Sequence, residues 1–575
     1  METRMDKLER YKKGLTPLPK TNRLWPLYGA GFENLGLNDQ PIEVPMPAFG
    51  PDELLVRHDA CGLCFSDIKV IKLGEEHPRI YRNMRENPVV LGHEVCMTVV
   101  GVGENLRQQY RIGDRFVIQA DIYVKGVGYA YGYEIQGGLS QYNVIDQRIL
   151  NGDHGNYLIP VQPDTGYAES ALTEPWACVV AAYHLTYRTA PRPAGVMWVI
   201  GAPSAPSLPY TFSAGFDAAG HPRQLMLTNV PEEFAGWLRR RAAELDIPVL
   251  EAADPANPPL SPVDDIILLG ADPELIERAS PHLADFGVFV IIAPHPLPRK
   301  VAVDVGRIHY NRWLYVGGAG PDIAQAYLPA VRSALKPGGR AWFVGAGGPM
   351  GRMHVQHALQ QASPPSVIVC TERNARRRAD LWETFHAEME ALGIHFVLIN
   401  PEDPADFGAG MAPFAGTGFD DIIVLAPVAS IIEGAAEYLA KGGTMNIFAG
   451  VPRGTMAQLD LSPIYLHGSR IIGHSASSID DLRLMLHETE AGVLSPNASV
   501  AAVGSLSAAK EGLKAVVESR FPGKIVIFPN IKEFPLTGLP DLKHVLPTVY
   551  ARLKNGREWT VEAEDEFLRI LLPEE

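Results

Sequence analysis

From about residue 23 to residue 190, short runs rich in β-branched and aromatic residues alternate with Gly, Pro and Asp turns, as in Glu53-Leu-Leu-Val-Arg57, Val95-Cys-Met-Thr-Val-Val100 and Arg115-Phe-Val-Ile118. That pattern predicts a β-rich domain. From about Pro191 the pattern changes to strand, helix, strand with connections of ordinary length, the signature of parallel α/β units. It does so twice, over about 194–320 and about 338–475. The joining segment Ala324-Gln-Ala-Tyr-Leu-Pro-Ala-Val-Arg-Ser-Ala-Leu335 is apolar at helical spacing and is stopped by Lys336-Pro-Gly-Gly339, which predicts a packed helix. After about Asp480 come a helix, a strand at Lys524-Ile-Val-Ile-Phe528 and a tail to Glu575.

The two α/β regions are copies of one another. Val263-Asp-Asp-Ile-Ile-Leu-Leu-Gly270 returns 156 residues later as Phe419-Asp-Asp-Ile-Ile-Val-Leu-Ala426. Leu283, Gly287, Ala293, Asp304 and Ile308 recur at the same offset as Leu439, Gly443, Ala449, Asp460 and Ile464. This is a duplication of one domain, not a solenoid array. Only the second copy has a glycine-rich turn after its first strand, Val344-Gly-Ala-Gly-Gly-Pro-Met-Gly351, where the first has Ile200-Gly-Ala-Pro-Ser-Ala-Pro206.

Composition narrows the classes. A chain of 575 residues with 46% hydrophobic content has enough apolar material for several cores. The net charge of −15, with no basic stripe, argues against a nucleic-acid partner. No run approaches about 18 uninterrupted apolar residues, and the charged start Met1-Glu-Thr-Arg-Met-Asp-Lys-Leu-Glu-Arg10 lacks the apolar core of a secretory signal. Five cysteines are too few for a disulfide framework and fit a reducing compartment, so the expected location is the cytoplasm, with no membrane partner.

In the β-rich domain, Cys61-Gly-Leu-Cys-Phe-Ser-Asp67 is followed by Gly92-His-Glu94 and later by Glu174-Pro-Trp-Ala-Cys178. A thiolate, an imidazole and carboxylates form a usual ligand set for a catalytic zinc that keeps one position open. In this order, ahead of a dinucleotide fold, these fragments resemble the zinc-dependent medium-chain dehydrogenases of the alcohol dehydrogenase superfamily, specifically the sorbitol-dehydrogenase-like polyol and sugar branch. The resemblance spans roughly residues 23 to 530, with the extra α/β copy intruding. It implies a GroES-like catalytic domain over 1–190 completed by 480–575, which adds a C-terminal extension. It also implies two tandem Rossmann-like, doubly wound parallel-sheet domains, a degenerate one over 191–335 and an NAD-binding one over 336–479.

Residue by residue, the resemblance makes Cys64 the zinc thiolate, His93 the imidazole ligand and Glu94 a carboxylate ligand or a close neighbour of the ligands. Glu174 matches the position that supplies the remaining carboxylate, directly or through water, and Asp67 the partner that fixes the ring of His93. Cys61, Cys96 and Cys178 fall outside the pattern and are assigned to packing. Two departures follow. Relatives often carry a four-cysteine lobe for a structural zinc, whereas about Gln119 to Gly138 contains no cysteine, so one zinc per chain is expected. Many relatives finish a proton relay with a histidine near Ser66, where this chain has Lys69, a poor proton acceptor at neutral pH.

At the cofactor end, Gly345, Gly347, Gly348, Met350 and Gly351 form a turn that follows an apolar strand and opens a helical stretch. Glycines there let the backbone approach a pyrophosphate resting on a helix N-terminus. The spacing is one residue longer than the standard GxGxxG, and the following strand, Ser366-Val-Ile-Val-Cys-Thr-Glu372, ends in an acid 21 residues past Gly351. Glu372 is expected to accept hydrogen bonds from the adenosine ribose hydroxyls, which prefers NAD over NADP, although Arg373 and Arg376-Arg377-Arg378 weigh the other way. The first copy has Pro203 and Pro206 in its turn and Asn229 in place of the acid, so it is expected to serve structure or substrate shaping.

These readings converge on a zinc- and NAD-dependent oxidoreductase acting on a secondary alcohol or ketone of a polyol, cyclitol or sugar, with Cys64, Ser66, His93, Glu94 and Glu174 as the catalytic set. The branch also admits sugar phosphates, as in sorbose-1-phosphate reductase-like members. Rivals are a zinc-free quinone or enoyl reductase, which would lack Cys64, His93 and Glu94, and a non-catalytic scaffold derived from a dehydrogenase, whose ligands would have been free to drift. The strand regions Arg312-Trp-Leu-Tyr-Val-Gly317 and Arg470-Ile-Ile-Gly473 are expected to pair the two copies inside the chain, which leaves room for further homo-oligomers.

Overall fold

The computed structural model describes residues 5–574. The chain divides into two compact units: residues through Val180 together with those from Ser477 onward, and Ala181–Ala476.

The first unit is built on an eight-stranded sheet. Its central strands are β1 (Leu54–Gly62), followed by helix α1 (Phe65–Leu73), and β2 (Glu94–Val102). They are antiparallel neighbours, with His58 opposite Met97 and Gly62 opposite Glu94. β1 is buried at every position and β2 at all but its last, and the polar residues they carry inside are paired there: Asp59 accepts from Arg57 Nε at 2.7 Å and from Thr98 Oγ1 at 2.5 Å. The returning strand Lys524–Phe528 pairs with the end of β1, placing Val526 beside Gly62. One core, including Val56, Val95, Met97, Ile525 and Ile527, joins the early and late parts of the chain. Helix α2 (Tyr167–Tyr183) contains Pro175, which removes one helical N–H and crowds the carbonyl one turn earlier.

The second unit holds two parallel six-stranded sheets of the same strand order. The first copy runs β3 (Val196–Gly201), β4 (Gln224–Thr228), β5 (Val249–Glu251), β6 (Val263–Leu269), β7 (Leu283–Ile292) and β8 (Leu314–Gly318), arranged β5-β4-β3-β6-β7-β8. The second runs β9 (Arg340–Val344), helix α3 (Pro349–Leu359), β10 (Val367–Thr371), β11 (His395–Ile399), β12 (Phe419–Val424), β13 (Leu439–Ile447) and β14 (Arg470–Gly473), arranged β11-β10-β9-β12-β13-β14. This is the doubly wound order in which the chain reverses direction beside the first strand. Side-chain bonds repeat as well: Trp198 Nε1 donates to Thr228 Oγ1 at 2.9 Å, and Trp342 Nε1 to Thr371 Oγ1 at 3.2 Å.

The copies share one core, in which Trp198, Phe289 and Tyr315 pack in the same cluster as Trp342, Met445 and Ile471. The strands that pair across them differ from the expected ones. β8 and β14 end their own sheets and pack against each other, Leu314 and Val316 clustering with Ile472, but they share no backbone ladder. Instead Val301–Asp304 runs antiparallel to Met456–Leu459, with Val301 opposite Leu459, Ala302 opposite Gln458 and Val303 opposite Ala457. Ala302 and Gln458 stand 156 residues apart, so each is the other's counterpart under the repeat, and the flanking pairs exchange. That is the self-complementary register of a two-fold interface.

The joining segment is not the expected helix. Ile323–Tyr327 forms a single 3-10 stretch and residues 328–335 are irregular. Pro329 supplies no N–H and biases Leu328 away from helical backbone. Polar anchors hold the remainder: Arg332 bonds the Asp421 carboxylate and the Asp420 carbonyl, as Arg188 bonds Asp265 and the Asp264 carbonyl in the first copy. The segment therefore repeats the non-helical lead-in of the first copy.

Candidate active site

The end of β1, the start of α1 and the start of β2 bring three donor atoms together: Cys64, His93 and Glu94 each offer one, all within 4.8 Å of one another. Asp67 organises this corner. Its Oδ2 accepts from the Cys64 amide at 3.0 Å, capping α1, while Oδ1 accepts from the Gly92 amide at 3.3 Å and lies 3.2 Å from His93 Nδ1. The Nε2 side of the ring is left for a ligand. Burial disfavours a charged His93, but Asp67, helped by Tyr133 and Cys64, outweighs it and raises the group well above its ordinary value.

Glu94 is fully buried, and a buried lysine that motif spacing does not reveal holds it. Lys524 Nζ donates to Glu94 Oε1 at 2.5 Å and to the Leu63 carbonyl at 2.8 Å. Glu94 Oε2 is buried without a hydrogen-bond partner. A Cβ at Gly62 would stand 2.1 Å from that oxygen, so only glycine leaves room for it. A thiol, a free imidazole nitrogen and an orphaned buried carboxylate oxygen form the donor set of an open zinc site, so the residues fit the metal. Glu174, on α2 just before Pro175, stands outside the three-atom set but within their field. Burial pushes its carboxyl up to about 7, with His93 and Lys524 pulling it down and Glu94 pushing it further up.

Ser66 lies half-buried in the first turn of α1, and Lys69 is exposed. Tyr133 was not foreseen from sequence. Its ring meets His93 edge-on at 5.8 Å and His77 at 5.1 Å. Burial raises the Tyr133 phenol and His93 lowers it. Cys61 and Cys96 are buried, Cys178 is half-buried, and all five cysteines are free.

In the second copy, Gly345 turns the chain after β9 at φ 83°, and Gly348 caps α3 without any side-chain hydrogen bond. The first-turn amides of α3, around Met350, thus have no side-chain acceptor from the cap, and the Cβ direction at Gly348 is open. A Cβ at Gly351 would lie 2.3 Å from the Ala346 carbonyl, so the helix packs against the turn only with glycine there. Glu372 Oε2 accepts from the Gly347 amide at 3.0 Å and Oε1 from the Asn374 amide at 2.8 Å, tying the acid to the turn. An uncapped helix N-terminus behind an open glycine, with a carboxylate beside it, fits a dinucleotide. Arg373 is exposed and lies 3.9 Å from Glu402, and Arg378 is spent on the Glu372 and Arg373 carbonyls. The first copy has no helix after β3; residues 202–222 form an irregular loop, and a Cβ at Gly201 would lie 2.1 Å from the Asn229 carbonyl.

Comparison with known proteins accords with this geometry. Residues 50–151 match the family described as the alcohol dehydrogenase GroES-like domain. The chain is 23% identical over 544 residues to mannitol-1-phosphate 5-dehydrogenase of Aliivibrio fischeri, covering 91% of this chain and 93% of that one. It is 22% identical over 537 residues to L-sorbose 1-phosphate reductase of Klebsiella pneumoniae, covering 92% and 94%. The crystal structure of 2R,3R-butanediol dehydrogenase from Bacillus subtilis shares the fold at TM-score 0.51 and 16% identity, covering 88% of this chain and all of that one. The chain carries an alcohol dehydrogenase GroES-like domain and is an oxidoreductase, similar over most of its length to the polyol-phosphate dehydrogenase and sugar-phosphate reductase just described. Among the described residues no helix is long and apolar enough to cross a membrane.

Proposed function

We propose that the protein is a zinc- and NAD-dependent dehydrogenase that interconverts a secondary alcohol and a ketone on a polyol or sugar, in the cytoplasm. The observation that carries this reading is the buried Glu94 oxygen without a partner beside Cys64 and His93. When bound, zinc polarises the substrate oxygen and the nicotinamide takes or returns the hydride. Cys64, His93 and Glu94 hold the metal, and Glu174 completes the set directly or through water. Asp67 orients His93, Lys524 orients Glu94, and Ser66 passes the proton outward. The turn from Gly345 to Gly351 receives the pyrophosphate and Glu372 the ribose, which favours NAD over NADP. Glu372→Ala is expected to weaken NADH binding at least about tenfold, the effect of losing charged hydrogen bonds, while Asn229→Ala leaves it unchanged. Fluorescence titration of both variants checks this, and equal effects would count against it.

The domain limits that follow are a catalytic domain over 1–190 and 480–575, a degenerate copy over 191–335 and a cofactor copy over 336–479. The two-fold register of the ladder between the copies supports a further reading: the first copy is a standing partner for the second, in place of a second subunit.

A phosphorylated substrate is favoured by two observations. Both relatives just described span more than nine-tenths of the chain and are named for sugar phosphates. Beyond Tyr133 lies His77, which burial and the neighbouring charges of Arg79 and Lys69 push below its ordinary value. Arg79 is paired with Asp121, whereas no ion pair of Lys69 is among those of the described residues. Lys69→Met is expected to raise KM for a hexitol phosphate about tenfold, the worth of one charged hydrogen bond, with kcat and the KM for the plain hexitol unchanged. A wild-type enzyme that prefers the plain hexitol would exclude the phosphate reading.

A further inference from the structure

The C-terminal segment closes over the same unit that holds Cys64, His93 and Glu94. Helix α4 (Val561–Leu571) carries Glu564, whose side chain is almost wholly buried and reaches α2. Glu564 Oε1 accepts from the Tyr167 amide at 2.5 Å, and Oε2 accepts from the Ala168 amide at 2.8 Å and from Trp559 Nε1 at 3.3 Å. The first amides of α2 are thus capped by a carboxylate nearly four hundred residues away in sequence. That cap sits one to two turns before Glu174 and Pro175. Because Pro175 interrupts the helical bonding, the turns before it depend on an external anchor to hold their place. The N-terminal helix adds to the clasp: Tyr11 meets Tyr167 edge-on at 5.9 Å, and Lys12 pairs with Asp565 at 2.6 Å.

The same segment also grips the strand behind Glu94. Phe528, which ends the strand that begins with Lys524, packs on Phe567 at 5.2 Å and on Trp559 at 6.2 Å between ring centroids. One helix and its approach therefore brace both elements that bring carboxylates to the metal corner: α2 with Glu174, and the Lys524 strand that holds Glu94.

We infer that the segment from Trp559 to Leu571 is a brace for the zinc centre and that Glu564 is a positioning residue, acting through α2 on Glu174. The inference rests on the zinc reading above, and it gives the tail a task in catalysis beyond covering the core.

The test is a competition titration of the full-length chain with Co2+ against a chelator, comparing wild type, Glu564→Gln, Trp559→Phe and Leu158→Ala. Glu564→Gln turns an acceptor pair into one acceptor and one donor facing an amide. Its Co2+ affinity is expected to fall about 10- to 100-fold, the range for partners that orient metal ligands. Trp559→Phe keeps the carboxylate and loses one of its donors, so a smaller loss of about two- to fivefold is expected. Leu158→Ala truncates the core on an edge strand of the sheet and is expected to match the thermal destabilisation without changing Co2+ affinity. Affinity within twofold of wild type in Glu564→Gln, or an equal loss in Leu158→Ala, would overturn the inference. If Glu564→Gln does not fold, unchanged affinity in Trp559→Phe overturns it. A wild-type chain that binds no Co2+ would instead overturn the zinc reading itself.

Discussion

Replacing Cys64 by serine or His93 by alanine is expected to remove zinc and turnover together while the chain stays folded. Each side chain offers one of the three donor atoms that cluster among the described residues, and with either gone the site keeps too few protein ligands to hold a divalent ion against solvent. The fold does not depend on the metal, because β1 and β2 lie in a core of apolar residues that runs the length of the sheet. Polarising the substrate oxygen is worth several kcal/mol of barrier, so turnover is expected to fall about a thousandfold or more. Metal analysis, turnover and circular dichroism on the same preparations check this. A Cys64→Ser protein with full zinc content and full activity would show that the ligand assignment is wrong.

Lys524→Met is expected to destabilise the zinc-free protein by about 3–5 kcal/mol, the cost of leaving one charge of a buried pair alone. Lys524 and Glu94 are nearly inaccessible to solvent and 2.5 Å apart, and burial disfavours charged Lys524 while Glu94 raises it above the ordinary ammonium range. With the lysine gone, Glu94 must protonate or drag water into the core. Zinc itself can offset the stranded charge, so the penalty is expected to shrink in the zinc-loaded protein. The double variant Glu94→Gln/Lys524→Met, which removes both charges, is expected to recover most of the loss. Denaturant unfolding of wild type, Lys524→Met and the double variant, with and without zinc, gives the comparison. A zinc-free Lys524→Met protein as stable as wild type would mean that the pair does not carry its charges in the fold.

What the sequence disclosed, and what it hid, follows from distance along the chain. The duplication is legible because a buried parallel strand is a contiguous apolar run, and Val263–Leu269 and Phe419–Val424 indeed occupy the same place in their sheets. Cys64, Ser66 and Asp67 fall in one helix start, and His93 and Glu94 in one strand start, so each motif names its own piece of the corner. Lys524, Tyr133 and Glu564 are invisible to that approach, since each meets its partner across tens to hundreds of residues, Lys524 through sheet pairing, Glu564 through helix packing and Tyr133 from a turn. The joining segment misled because helical spacing counts apolar positions and gives no weight to Pro329 or to the Arg332 anchor. The signal for the latter was present: Arg-Thr-Ala at 188–190 returns as Arg-Ser-Ala at 332–334. Edge-strand character drew attention to β8 and β14, which do pack on each other, with Leu314 and Val316 in one cluster with Ile472, whereas the backbone ladder between the copies runs through the short strands after β7 and β13.

The central claim is that a duplicated chain keeps one working cofactor site and has turned the other copy into its partner. Equilibrium titration of the zinc-loaded protein with NADH tests this most directly, by counting sites. The expected result is one NADH per chain, with binding weakened by Glu372→Ala and untouched by Asn229→Ala. Two equivalents per chain, or a single one that survives Glu372→Ala and is lost on substitution at Gly201, would contradict it.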